Sequence, residues 1–137
     1  MGLLDGRVSI VTGGAQGIGR AYCLGLAAEG SAIVVADVQD GSPVVREISA
    51  KGGEALAVHV DVSDREATAA MADAAVQQFG RIDALVNNAA YFKQAKRGPF
   101  TEIGMEEWDR AFAVNVRGTW LCCRAVRSEE RRVGKEC

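Results

Sequence analysis

Thr12-Gly13-Gly14-Ala15-Gln16-Gly17-Ile18-Gly19 is the stretch on which the reading of this 137-residue chain turns. Ahead of it, Arg7-Val8-Ser9-Ile10-Val11-Thr12 is rich in β-branched residues that are stiff at χ1, and it reads as a buried strand. Behind it the apolar spacing changes, and Ile18, Tyr22, Gly25 and Leu26 fall on one face of a helix opening at Gly17. A glycine-rich turn from strand to helix makes a phosphate site. The first backbone N–H groups of a helix lack intrahelical partners, and the helix dipole adds partial positive charge there. Glycine matters because a β-carbon would hold a pyrophosphate away from those N–H groups. Such turns also occur where nothing binds, so the turn alone is weak evidence. A second strand, Ala32-Ile33-Val34-Val35-Ala36, ends in Asp37, eighteen residues after Gly19. A dinucleotide fold places there the carboxylate that accepts hydrogen bonds from the adenosine ribose.

Composition agrees with a globular chain, at 48% hydrophobic and 25% charged residues. A net charge of −2 gives no pull toward nucleic acid or an anionic membrane surface. No apolar stretch approaches the roughly 20 residues needed to span a bilayer, and the N-terminus has no signal-peptide pattern. Cys23, Cys122, Cys123 and Cys137 form no CxxC pair and no disulfide-like spacing, so a reducing cytoplasm is the default compartment. No metal-ligand set is present, and His59, inside the third strand, reads as structural.

Strands and helices alternate along the chain. Glu29-Gly30 ends the first helix, Ser42-Pro43 opens a second with Ser42 as its cap, and Lys51-Gly52-Gly53 closes it. Ala55 to Val60 is a third strand, followed by Asp61-Val62. Ser63-Asp64-Arg65-Glu66 is a capping-box pattern, and Ala67, Met71, Ala75 and Phe79 form the buried stripe of the helix it opens, up to Gly80. Asp83 to Asn87 is the fourth strand, and a polar segment leads to a last helix from about Met105. This order predicts an α/β fold with a parallel sheet and helices on both faces. Trp108, Phe112, Asn115, Thr119, Cys122 and Val126 recur on one face of the last helix. From spacing alone Asn115 reads as a core asparagine with satisfied hydrogen bonds.

Thr12-Gly13-x-x-x-Gly17-Ile18-Gly19, Asp37, Asp61-Val62, Asn87-Asn88-Ala89-Ala90 and Asn115 resemble the short-chain dehydrogenases/reductases of the classical type, over about Leu4 to Val126. The resemblance implies a Rossmann-type, doubly wound parallel sheet, here truncated after the fourth strand and the following helix. It implies that Gly13, Gln16, Gly17 and Ile18 surround a pyrophosphate, with Gly19 allowing close packing of helix on sheet. Asp37 would accept from the adenosine ribose, and Asp61 would meet the adenine amino group with the Val62 backbone against the ring. A capping role at the strand ends is the plainer reading of Asp61 and Asn87. Asn88, Ala89 and Ala90 would line the path to the nicotinamide ribose; Ala90 stands where the family usually has glycine and narrows that path slightly. Asn115 matches the catalytic asparagine, which interrupts its helix and holds a water in a proton relay.

The serine and the Tyr-x-x-x-Lys pair of that family are absent: four residues beyond Tyr22 and Tyr91 lie Leu26 and Ala95. The chain therefore reads as an N-terminal fragment, residues 1–126, of a dinucleotide-binding domain. Residues 127–137, Arg127-Ser128-Glu129-Glu130-Arg131-Arg132-Val133-Gly134-Lys135-Glu136-Cys137, leave the helical stripe and resemble the translation of a common sequencing-adapter read. They read as a non-native tail with no selected partners for Arg131, Arg132, Lys135 or Cys137. The parent protein is expected to be a cytoplasmic homo-oligomer that moves hydride between a nicotinamide cofactor and a small alcohol or carbonyl compound. Asp37 favours NAD over NADP, because a carboxylate repels a 2′-phosphate. A dinucleotide-binding or sensing module without turnover is the alternative.

Overall fold

In a computed structural model, residues 2–134 are described, with side chains as far as residue 128. Four parallel strands, β1 (Val8–Thr12), β2 (Ala32–Asp37), β3 (Ala55–His59) and β4 (Ala84–Val86), lie in the order β3-β2-β1-β4. Helices α1 (Gly17–Ala28), α2 (Ser42–Ala50) and α3 (Arg65–Phe79) join them. After β4 come a 3-10 turn at Phe100–Glu102, α4 (Met105–Phe112), a π-helical segment (Ala113–Gly118) and α5 (Thr119–Gly134). This is the expected Rossmann-type α/β architecture.

The core follows from the period of two along each strand. Ile10, Val34 and Ala36 point to the side that carries Met71 and Ala75 of α3 and Cys122 of α5. Val11, Ile33 and Val35 point to the other side, against Cys23 of α1 and Val44 and Ile48 of α2. Both faces are covered, so β1 is buried at every residue, as unbroken apolar strands in parallel sheets are. Helices α1, α2 and α3 are followed by Gly30, Gly52 and Gly80, with φ of +98°, +84° and +81°, where the sequence placed their ends.

Two caps differ from the sequence reading. Helix α2 begins at Ser42 itself, with Asp40 Oδ1 accepting the Ser42 N–H at 2.9 Å. Helix α3 is capped by Asp64, not Ser63: the Asp64 carboxylate accepts from the Glu66 and Ala67 N–H groups at 2.9 and 3.2 Å. Ser63 is committed elsewhere, its hydroxyl lying 2.6 Å from Asp61 Oδ1. A full charge at a helix N-terminus also outbids a hydroxyl.

The helix faces differ too. Ile18 and Tyr22 are 69% and 47% exposed, while Gly19 and Cys23 turn inward. Trp108, Phe112, Asn115 and Thr119 are likewise exposed, whereas Val114, Gly118, Leu121 and Cys122 meet the body of the protein. Close approach explains both cases: a β-carbon on Gly118 would sit 2.6 Å from a Val62 methyl. The small residues face the sheet, and Trp108 and Phe112 stack on each other outside it, with centroids 4.8 Å apart. His59 is exposed at the end of its strand. The backbone of α5 continues helical to Gly134, in keeping with the helix propensity of Arg and Glu. The side chains of Arg131, Arg132, Lys135 and Cys137 lie outside the described residues.

Candidate nucleotide-binding site

Four loops meet at the carboxyl ends of the strands, where open α/β sheets bind ligands. The first is the glycine turn. Gly13, at φ +66°, donates its N–H to the Ala36 carbonyl at 2.7 Å, and a β-carbon on it would lie 2.9 Å from Asn88 Nδ2. A β-carbon on Gly19 would overlap the Gly13 carbonyl. Gly17 contrasts with both: its φ is +56°, yet no atom lies within 4 Å of its missing β-carbon. That side of the turn is open. No side chain caps α1 and no acid sits in its first turn, so its first N–H groups remain available to an anion.

Two strand-end carboxylates face the same space. Asp37 is 8% exposed, accepting the Ala15 N–H at Oδ2 and the Gln39 N–H at Oδ1, each at 3.0 Å. Asp61 Oδ1 accepts from the Ser63 N–H at 3.0 Å as well as from its hydroxyl, and Asp61 Oδ2 lies 3.3 Å from Arg110 Nη2. Partial burial pushes the Asp61 carboxyl up, but the Ser63 hydrogen bonds and the Arg110 guanidinium outweigh it and hold it below the usual carboxylate range. The strand-end capping role is therefore real, and Asp61 lines the cleft as well.

The loop after β4 forms the opposite wall. Thr12 Oγ1 accepts the N–H groups of Asn88 and Ala89 at 3.0 and 3.1 Å and lies 3.3 Å from the Val86 carbonyl. Asn88 Nδ2 donates to the Gly13 carbonyl at 3.2 Å, tying the two walls together. One step on, Asn115 clasps the backbone of Tyr91: Oδ1 accepts its N–H at 2.7 Å and Nδ2 donates to its carbonyl at 3.3 Å. Asn115 lies inside the π-helical segment, whose i→i+5 pattern breaks the helix as the resemblance implied. Its amide is satisfied, though at the surface and not in a core. Cys122, behind this wall, has its thiol pushed up to about 11 by burial, which leaves it unreactive. Cys123 is exposed, its Sγ 3.4 Å from Asn87 Nδ2.

The result is one cleft of about 350 Å³, within the size range of small-molecule sites. Gly13, Gln16, Gly17, Ile18, Asp37, Asp61, Val62, Asn88, Ala89 and Ala90 all line it. Gly19 and Asn115 stand behind it, the first beneath the turn and the second holding Tyr91, a lining residue. Sequence reasoning missed Thr12 as the fastener of the two walls and missed Arg110 altogether. A hydroxyl in a buried apolar strand was a signal for Thr12, since it must find partners. Arg110 gave none. Among the described residues no group of three or more His, Cys, Asp or Glu could hold a metal ion.

Fold and cleft together define a doubly wound α/β protein of the Rossmann type. The sequence profile of the family described as short chain dehydrogenase matches residues 7–135, and the chain belongs to that family. It is 37% identical to a cyclopentanol dehydrogenase of Comamonas sp. over 139 aligned positions, covering 100% of this chain and 54% of that protein. With the D-threitol dehydrogenase of Mycolicibacterium smegmatis it shares 38% identity, covering 90% of this chain and 47% of that one. A short chain dehydrogenase crystal structure from Mycobacterium avium superposes with a TM-score of 0.92 at 37% identity, covering 98% of this chain and 49% of that one. A short-chain dehydrogenase/reductase from Burkholderia phymatum, crystallised in complex with NAD, gives a TM-score of 0.84 at 35% identity, covering 91% and 44%. The chain thus spans about half the length of the proteins it matches.

Proposed function

We propose that this chain is the nucleotide-binding part of an NAD-dependent oxidoreductase that transfers hydride between the cofactor and a small alcohol or carbonyl compound. The observation that carries this reading is the convergence of the open glycine turn, Asp37 and Asp61 on one cleft. The residues fit NAD: Gly17 leaves open the space that a side chain would fill, above uncapped helix N–H groups. Gly13, Gln16, Gly17 and Ile18 would surround the pyrophosphate, with Gly19 keeping helix and turn in contact. Asp37 would accept from the adenosine ribose and Asp61 from the adenine amino group, with the Val62 backbone against the ring. Asn88, Ala89 and Ala90 would border the nicotinamide ribose. Asn115 would act in the proton path of the whole enzyme while fixing Tyr91. When bound, the nicotinamide supplies the hydride chemistry. The parent enzyme is read as a cytoplasmic homo-oligomer. Among the described residues no helix is long and apolar enough to cross a membrane.

Asp37 sets the cofactor. Its two oxygens are fixed by backbone N–H groups, so the carboxylate cannot swing aside for a 2′-phosphate. Arg20, one turn into α1, is engaged by Glu47 in a two-pronged pair at 3.0 and 2.5 Å. Titration of the chain with NAD and NADP should show NAD binding at least about tenfold tighter, the cost of a close like-charge contact. Equal or tighter binding of NADP would reject the assignment.

A further inference from the structure

Arg110 reaches from α4 to the end of β3, where Nη2 lies 3.3 Å from Asp61 Oδ2 and Nη1 lies 3.3 Å from Ser63 Oγ. No residue of α4 is buried, so this bridge is not a by-product of core packing. Valence counting shows what it leaves over. An ionised carboxylate offers about four lone-pair sites, and a guanidinium about five N–H donors in a rigid fork. Ser63 occupies Asp61 Oδ1 through both its N–H and its hydroxyl, and Arg110 takes one site on Oδ2. A single acceptor site remains on Oδ2, beside a guanidinium with most of its donors uncommitted. Both groups line the cleft.

We propose that Asp61 and Arg110 together read one edge of an adenine ring, Asp61 accepting from the N6 amino group and Arg110 donating to N7, which makes Arg110 a specificity-determining residue. The inference rests on the nucleotide-binding reading above. On one edge of adenine the N6 donor adjoins the N7 acceptor, a pair that a carboxylate beside a guanidinium matches. A carboxylate alone accepts from any amino group; the adjacent cation adds a requirement for an acceptor next to it. The fork suits this work, because it can hold Ser63, Asp61 and the base at the same time.

Calorimetric titration of the full chain with ADP and with 7-deaza-ADP, which lacks only the N7 acceptor, tests the assignment. The unmodified chain should prefer ADP by about tenfold, the worth of one charge-assisted hydrogen bond. In Arg110→Met, ADP should weaken to the level of 7-deaza-ADP, whose own affinity should stay unchanged. Arg110→Lys keeps the charge but not the fork, and its preference should fall below about threefold. The assignment is overturned by equal weakening of both nucleotides in Arg110→Met, which is what mere docking of α4 would produce. Full preference in Arg110→Lys, or no preference in the unmodified chain, would overturn it too. If the unmodified chain binds neither nucleotide, the nucleotide-binding reading itself fails and this inference falls with it.

Discussion

Thr12 does more for the cleft than its size suggests. Its hydroxyl accepts two backbone N–H groups from the loop after β4, and no other described side chain joins β1 to that loop by two bonds. In Thr12→Val the shape is kept, but the Asn88 and Ala89 N–H groups lose their acceptor. Unfolding in urea should show a loss of about 2–3 kcal/mol, and NAD affinity should fall with it. Unchanged stability would mean that both amides find water. Residues whose chemistry is local, such as the turn glycines and Asp37 at a strand end, were legible in the sequence. Thr12 and Arg110 were less so because their partners lie 76 and 49 residues away. Spacing is silent at that range.

Secondary structure was legible because strand composition, helix stops and period all agreed; helix orientation was not. Spacing put Ile18 and Tyr22 on one face of α1, and Trp108, Phe112 and Asn115 on one stripe with Cys122; of these only Cys122 is buried, and Gly19, Cys23 and Gly118 lie inside instead. Helices that approach a sheet closely put small residues toward it, and apolar periodicity cannot weigh size against distance. The entrance to β4 shows how charge assists the sheet. Asp83 accepts from the Val8 N–H at 2.9 Å, from Arg7 at 3.2 Å and from Arg81 at 2.6 Å. Burial pushes its carboxyl up, but the hydrogen bonds from Arg81, the Val8 amide and Arg7 prevail and hold it low. A folded-state pKa below the unfolded value gives stability that is present above the unfolded value of about 3.9 and lost as pH falls through the folded one. Asp83→Asn should therefore cost about 1 kcal/mol at neutral pH, discounted because both arginines are about half exposed, and progressively less at acid pH as the folded carboxyl takes up its proton. Urea melts of both proteins at neutral and acid pH would show it; a constant gap would refute the titration argument.

At the scale of the whole molecule, β4 is an edge strand, and Trp108, Phe112, Val116 and Trp120 are each about half exposed. An open edge and an aromatic patch favour association. Light scattering of the purified chain should show oligomers or aggregates, and a clean monomer at high concentration would count against this. Neither tyrosine has a lysine four residues on, so no NAD reduction with simple alcohols is expected; turnover would show that another group supplies the acid and base. Deleting residues 127–137 should leave NAD affinity within about twofold, whereas a larger loss would show that the tail takes part in the fold.

The Thr12 fastening also dictates an order of events on the ribosome. Chains emerge N-terminus first, and β1 can pair with β2 within about two dozen residues of synthesis. Asn88 and Ala89, the donors to the Thr12 hydroxyl, arrive some 76 residues later. Until then the glycine turn has its strand and its helix but not its far wall, and Gly13 lacks the Asn88 amide that steadies its carbonyl. An element near the start of the chain thus waits on residues made much later to reach its working shape. A nascent chain stalled before Asn87 would carry a complete glycine motif and an unfinished binding site.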